Sequence, residues 1–254
     1  MRVFLCPKGL EPTANPGGFF SPIWVSNHRP YNGRKGTIIA VKLPNGVTLA
    51  LATAYAAPDT VTAVTNANPA VATTSGAHGI SDGAYVEVTS GWSKLNNRIV
   101  RVDNAAGSAL DYEGINSTST QNYPSGSGGG SIREITTWTQ ISQIVELTSS
   151  GGEMQFTTYS FLEQDFESQL PTQSSPMTIT MSVADDPSLP GYIALKNAAD
   201  TRVLVGLKAT LPDNSVILYN GYVSFNETPS MTKNQIMACQ ATFSLQGRPV
   251  RYAS

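Results

Sequence analysis

Two stretches of this chain share one plan. Residues 42–54 read KLPNGVTLALATA and residues 210–225 read TLPDNSVILYNGYVSF: an apolar run, a Pro-Asn-Gly or Pro-Asp-Asn turn, and a second run with period-two alternation. Asn-Gly readily takes the positive φ values of a tight primed turn, and alternation marks a strand with one buried face. A chain built from such units folds by pairing strands across turns, so the expectation is a mainly β protein. Residues 36–56 are accordingly read as a hairpin, GTIIAVKL against VTLALATAYA.

With 254 residues the chain can bury a substantial core without disulfides or metal. Only 13% of residues are charged, about half the usual share, which suits β structure rich in turns. The formal net charge of −2 offers no basic field for nucleic acid, and no run of Lys and Arg supplies a local one. Cys6 and Cys239 are far apart and lack a second Cys or His at ligand spacing, so they are read as packed or free thiols. The N-terminal MRVFLCPKGLEPT meets Pro7 and Glu11 too soon for a signal-peptide core, and no segment approaches the roughly 18 to 20 apolar residues of a membrane span. Folding in a reducing cytoplasm is expected.

Along the chain, residues 1–35 are rich in Pro, Gly and Asn but carry Phe19, Phe20, Ile23 and Trp24, an irregular arm with apolar anchors. Residues 57–134 hold short alternating strands separated by Ser-Asp-Gly, Ala-Ala-Gly and a Gly-rich run, which reads as a small all-β domain inserted between 1–56 and 135–254. Beyond it, strands are expected near 141–147, 153–160 and 176–183, with an acidic stretch between the last two. DDPSLPGYIALKNAADT supplies one helix, with Asp185 or Asp186 as cap and Tyr192, Ile193 and Leu195 as its apolar face. The fold expected is a β-sandwich or partial barrel with one flanking helix and an inserted small all-β domain.

Groups able to carry chemistry are few. Glu163, Asp165 and Glu167 lie in FLEQDFESQ without a Gly-kinked calcium loop, and read as a solvated or intersubunit acidic patch. His28 and His78 fall in different modules, and neither belongs to a zinc-hydrolase motif. GSGGGSIRE lacks the Lys-Ser or Lys-Thr of a phosphate loop and reads as a flexible connector. Asn116 and Asn226 match glycosylation tripeptides, which are common by chance. Tyr219, Tyr222 and Phe225 could form a stacking platform, but without flanking Lys or Arg they read as ordinary strand packing. No catalytic residue, metal ligand or cofactor is assigned.

The series WTQISQIVELTSSGGEMQFTTYSFLEQDFES, SPMTITMSVADDPSLPGYIALKNAADTR, LPDNSVILYNGYVSF and ATFSLQGRPV, in that order over residues 137–252, resembles the tail tube protein of phages with long non-contractile tails, the lambda type. The resemblance implies a small β-sandwich flanked by a helix, closing with five further copies into a ring. Stacked rings would make the hollow virion tail tube that delivers DNA, assembled in the host bacterial cytoplasm. Implied partners are the chain itself and the tape-measure, tail-terminator and tail-tip proteins, with DNA only in passage, no membrane and no enzymatic activity. The inserted domain is similar to small β-modules of phage tail proteins and is expected to face outward, with host-surface glycans as a possible partner.

The lumen wall is expected from strands near 153–160, 176–183, 201–210 and 215–224. Contacts between rings and subunits are expected at Phe161, Leu162, Glu163, Asp165, Phe166 and Glu167, and at Phe19, Phe20 and Trp24. The alternative function is a carbohydrate-binding β-sandwich module of a phage or bacterial surface protein; a hydrolase built on the three clustered carboxylates is weaker still.

Overall fold

The computed structural model describes residues 45–253. In chain order the first elements are β1 (Thr48–Tyr55), β2 (Asp59–Val64), β3 (Ala70–Thr74), β4 (Tyr85–Ser90), β5 (Arg98–Ala106), β6 (Ala109–Tyr112) and the twelve-residue β7 (Gly130–Ile141). Strands β2, β3, β6, β5 and β4 pair in that order. The start of β7 then pairs with β4 through Glu134 and with β2 through Ile132, closing a six-stranded antiparallel barrel. Closure leaves this part of the chain without a free edge. Val61, Ala72, Val86, Val88, Val100 and Leu110 are buried in its core, as expected for a barrel too narrow to hold anything but side chains.

The Gly-rich run is no flexible connector. A Cβ on Gly128 would come within 2.9 Å of the Trp92 ring, and one on Gly130 within 2.0 Å of the Thr89 carbonyl oxygen. Ser90 Oγ donates to the Gly128 carbonyl at 2.9 Å. The missing side chains are what allow the chain to lie flat against β4.

The remaining elements are β8 (Ile144–Ser150), β9 (Met154–Tyr159), β10 (Ser168–Ser174), β11 (Thr178–Ala184), α1 (Pro190–Thr201), β12 (Val205–Thr210), β13 (Val216–Ser230), β14 (Ala238–Leu245) and β15 (Val250–Tyr252). One sheet runs β7-β1-β12-β13-β15 and a second runs β13-β14-β11-β8. The fifteen-residue β13 serves both, pairing with β12 up to Gly221 and with β14 from Gly221 onward. Leu49, Leu51 and Leu207 of the first sheet meet Met181 and Phe243 of the second in one apolar cluster that also takes Leu195 of α1. This is the mainly β sandwich with one flanking helix that the alternation called for.

Several local expectations need correction. β1 pairs Thr48–Leu51 with β12 and Leu49–Tyr55 with β7; residues 36–43, the other half of the expected hairpin, lie outside the described residues. The acidic stretch after β9 contains a strand, β10, paired back on β9. Neither Asp185 nor Asp186 caps α1: its N-cap is Leu189, with Pro190 in the first turn, and Asp186 instead accepts from the Ser188 amide and hydroxyl. Tyr192 and Leu195 of α1 are buried, but Ile193 is exposed. β12 is covered on both faces, so the expected lumen stretch at 201–210 cannot line a channel.

That second covered face packs the first sheet onto the barrel. Gly206 of β12 lies where a Cβ would strike Ile99 Cδ1 at 2.5 Å and Ile135 Cδ1 at 3.3 Å. Leu218, Val250 and Tyr252 join the barrel's own apolar cluster. Polar bonds fix the seam. Glu87 of β4, 4% exposed, accepts from Asn220 Nδ2 of β13 at 2.9 Å and from Arg133 Nε. The Arg133 guanidinium lies 4.2 Å from the centre of the Tyr55 ring, whose hydroxyl accepts from the Gly206 amide at 2.9 Å. Tyr252 accepts from the Arg101 amide and donates to the Glu113 carbonyl, and burial pushes its phenol up to about 12. Lys208 reaches between the Tyr85 and Trp138 rings, where burial lowers its pKa.

Two stability tests follow from this packing. Glu87→Ala strands the Asn220 amide and Arg133; because Arg133 is partly exposed, the loss should be about 2–3 kcal/mol, below that for a fully buried pair, read as a lower urea midpoint at unchanged slope. Tyr112, fully buried in the barrel, has a hydroxyl with no hydrogen-bond partner. Tyr112→Phe should therefore raise stability by about 1 kcal/mol in the same assay, and a loss of that size would show that the hydroxyl is satisfied.

Candidate assembly surface

β8 and β11 form a ladder that ends at Ser150 and Thr178, and β9 and β10 continue it as a separate two-stranded arm. The break is made at Gly151 and Gly152, with φ of +83° and +82°. At Gly151 a side chain would be excluded twice, by the positive φ and by the Pro176 carbonyl oxygen 1.9 Å from where its Cβ would stand. The Gly152 amide bonds to the Ser175 carbonyl and the Ser175 amide to that of Glu153, so the pair turns away from the sandwich while staying joined. Tyr159 pairs with Ser168 as the last rung, leaving 160–167 as the tip.

The arm carries apolar side chains that its own subunit does not cover. Met154, Phe156, Phe161, Phe166 and Leu170 are all exposed, and Leu162 is fully so. Phe161 lies edge-on to the Tyr159 ring of the same arm at 5.6 Å. Glu163, Asp165 and Glu167 alternate with these residues and have no ion pair among those of the described residues. The chain from 151 to 177 has four carboxylates and no Lys, Arg or His. A soluble protein rarely leaves so much contiguous apolar surface bare unless another molecule covers it.

The sandwich's second sheet offers a different surface. Opposite the core-facing Ile179, Met181 and Val183, β11 presents Thr178, Thr180 and Ser182. Register extends each into a row across the sheet: Tyr222, Ser244, Thr178 and Ser150; Ser224, Thr242, Thr180 and Thr148; Asn226, Gln240, Ser182 and Glu146. Hydroxyls and amides dominate, Glu146 is the one charge, and no Lys or Arg is present. Both edges of this four-strand array, β8 and the second half of β13, lack a partner strand among the described residues.

A third feature is the β13–β14 connection at the far end of the same strands. Met231, Ile236 and Met237 are exposed there, and Lys233 stands among them without an ion pair in the described residues. The Met237 carbonyl accepts from the Asp185 amide, which ties this loop to the entry of α1.

The other residues singled out from the sequence do not converge. Tyr219 and Phe225 lean into the sandwich, Phe225 edge-on to Tyr192 at 4.9 Å, while Tyr222 points to the hydroxyl face, so the three make no common platform. His78 bonds within the barrel, to the Ile80 amide and the Ala109 carbonyl. Cys239 is buried beside Tyr192 and Asp185, where burial raises its thiol pKa. Phe19, Phe20, Trp24, His28 and Cys6 lie outside the described residues. Among the described residues no group of three or more His, Cys, Asp or Glu is placed to hold a metal ion, and no helix is long and apolar enough to cross a membrane. The arm's apolar count was legible in FLEQDFES; the hydroxyl rows were not, because they depend on register among four strands.

A β-sandwich with a bare apolar arm and open sheet edges is a subunit shaped for covering by other protein. The family model of phage tail tube proteins matches residues 90–254, and the chain belongs to that family. No curated protein matches it. Family membership makes it a structural protein of the virion tail that assembles into tubes with its own copies and works beside other tail proteins. The match starts at Ser90, the last residue of β4, and so takes in β5, β6 and β7 of the barrel as well as the sandwich.

Because the tip is exposed, its apolar residues should not stabilise the isolated subunit. Leu162→Ser and Phe166→Ser should each change unfolding free energy by less than about 0.5 kcal/mol under conditions that keep the protein unassembled. A larger loss would mean that the tip packs within its own subunit.

Proposed function

We propose that six copies close into a ring by joining their four-strand arrays edge to edge, and that stacked rings form the hollow tail tube through which DNA reaches the host. The observation that carries this reading is the array β13-β14-β11-β8, with one face in the core, one face of hydroxyls and amides, and an unpaired strand at each edge. Adjacent strands in it alternate in direction, so β8 meeting β13 of the next copy would continue the antiparallel pattern around a closed barrel. An edge that is a hazard in a monomer becomes the joint of the ring.

Size is compatible with six copies and excludes very small rings. Twenty-four strands about 4.8 Å apart and tilted about 40° give a barrel roughly 48 Å across at the backbone, which side chains narrow to about 38 Å. That passes a DNA duplex. Three copies would leave about 14 Å by the same geometry, which does not. Rows of Ser, Thr, Tyr, Asn and Gln with one Glu per copy offer phosphates no cation, so DNA would slide without being held by ion pairs.

The arm, with Phe161, Leu162 and Phe166 among Glu163, Asp165 and Glu167, serves as the contact between rings in this reading, and the N-terminal Phe19, Phe20 and Trp24 add to it. Residues 57–134 face outward as a decoration. In support, among the described residues every exposed large apolar side chain lies between Val145 and Met237, leaving the barrel a polar exterior suited to solvent. Tape-measure, terminator and tip proteins complete the tail, assembled in the host cytoplasm, and surface glycans are the natural partners to test for the barrel.

Negative-stain microscopy of the purified protein should show hollow tubes or stacked rings; monodisperse monomers at high concentration would overturn the reading. Replacing 160–167 by an Asn-Gly turn between Tyr159 and Ser168 should leave a folded subunit that forms no long tubes. Excising 59–133 is a poor test of the barrel's role, since it would uncover Ala52, Leu218, Val250 and Tyr252.

A further inference from the structure

We infer that the arm of one copy docks onto the β13–β14 loop of a second copy of this chain in the adjacent ring, with Phe161, Leu162 and Phe166 packing on Met231, Ile236 and Met237. This rests on the ring reading above and names the receptor that reading leaves open.

Placement is the first argument. The arm leaves the second sheet where Thr178 pairs with Ser150 and Ser244, while the loop joins it where Ala184 pairs with Ala238. Six residues of strand separate the two, about 20 Å, so they stand on opposite rims of the array. Contacts that extend a stack must join unlike surfaces, since like-to-like contacts close a pair and stop. Among the described residues, arm and loop are the largest exposed apolar groups at the ends of these strands, and they are unlike.

Charge decides between the possible pairings. An arm against an arm would bring together two segments with four carboxylates each and no cation, a juxtaposition that like-charge repulsion opposes. The loop instead offers Lys233, the one charge between 228 and 237. Acids near the loop are already engaged: Asp186 by Ser188, Asp185 by the Cys239 thiol, and Glu227 by Lys196 at 2.7 Å. Glu163, Asp165 and Glu167 thus meet an unopposed cation. The apolar halves match as well, because methionine side chains adapt to the shape of an aromatic-rich tip better than branched ones do.

The test compares wild-type tubes with unassembled wild-type subunits by amide hydrogen exchange. Both 161–167 and 231–237 should slow by about tenfold or more on assembly. Protection of 161–167 with 231–237 still exchanging freely would overturn the docking while leaving the tube reading intact. Absence of any tube would overturn both. A second measurement uses full-length Leu162→Cys/Ile236→Cys tubes treated with a short bis-maleimide. They should give a ladder of multimers on a denaturing gel that neither single variant gives, and tubes of the double variant that yield only monomer would count against the contact. Lys233→Glu should shorten tubes, with length restored by Glu163→Lys in the same chain; no rescue would also tell against it.

Discussion

Strand β12, at the centre of the sheet β7-β1-β12-β13, is covered on both faces, and the rest of the subunit is arranged by that. Leu49, Leu51 and Leu207 fill the sandwich on one side; Gly206 and Leu218 meet the barrel on the other. β12 is not amphipathic in the simple sense, because both sets of its alternating side chains are withdrawn from water. The hydrophobic gain is doubled per residue of backbone ordered, so this sheet anchors two bodies at once. The cost is that any polar group at the inner face must find a partner there, and the Glu87, Arg133 and Asn220 cluster with Tyr55 meets that requirement.

From that anchor outward, burial falls in steps. The second sheet has one face in the core and one polar face, β8 is largely exposed, and the arm has no covered face. Free energy of folding is thus concentrated away from the arm and the open edge at β8. A subunit made this way stays folded before assembly and leaves its contacts uncommitted until a neighbour arrives.

Much of this was written in the sequence at the level of local pattern. Alternation in LVGLKAT, ITMSVA and ATFSL marked strands with a buried face, and Pro190 marked the helix start. What misled was information that local pattern does not hold. VTLALATA was legible as a strand, but its partners β7 and β12 are distant in sequence and no local pattern names them. GSGGGS looked like a linker because glycine frees the backbone in isolation, while here it is close contact with Trp92 and Thr89 that demands glycine. Asp185 and Asp186 stood at cap spacing but were taken by a turn and a thiol. The arm's aromatics were visible as residues, but not that they stand exposed, which only three-dimensional packing shows.

Strand β7 belongs to the barrel for its first five residues and to the sandwich for the remainder, without a hinge between. Mechanically that makes the barrel a lever instead of a tethered weight. Force applied to it is carried along β7 as shear on the ladder with β1, where many hydrogen bonds share the load at once, and is delivered to the body of the subunit undamped. A tug on the barrel would thus be felt throughout the subunit.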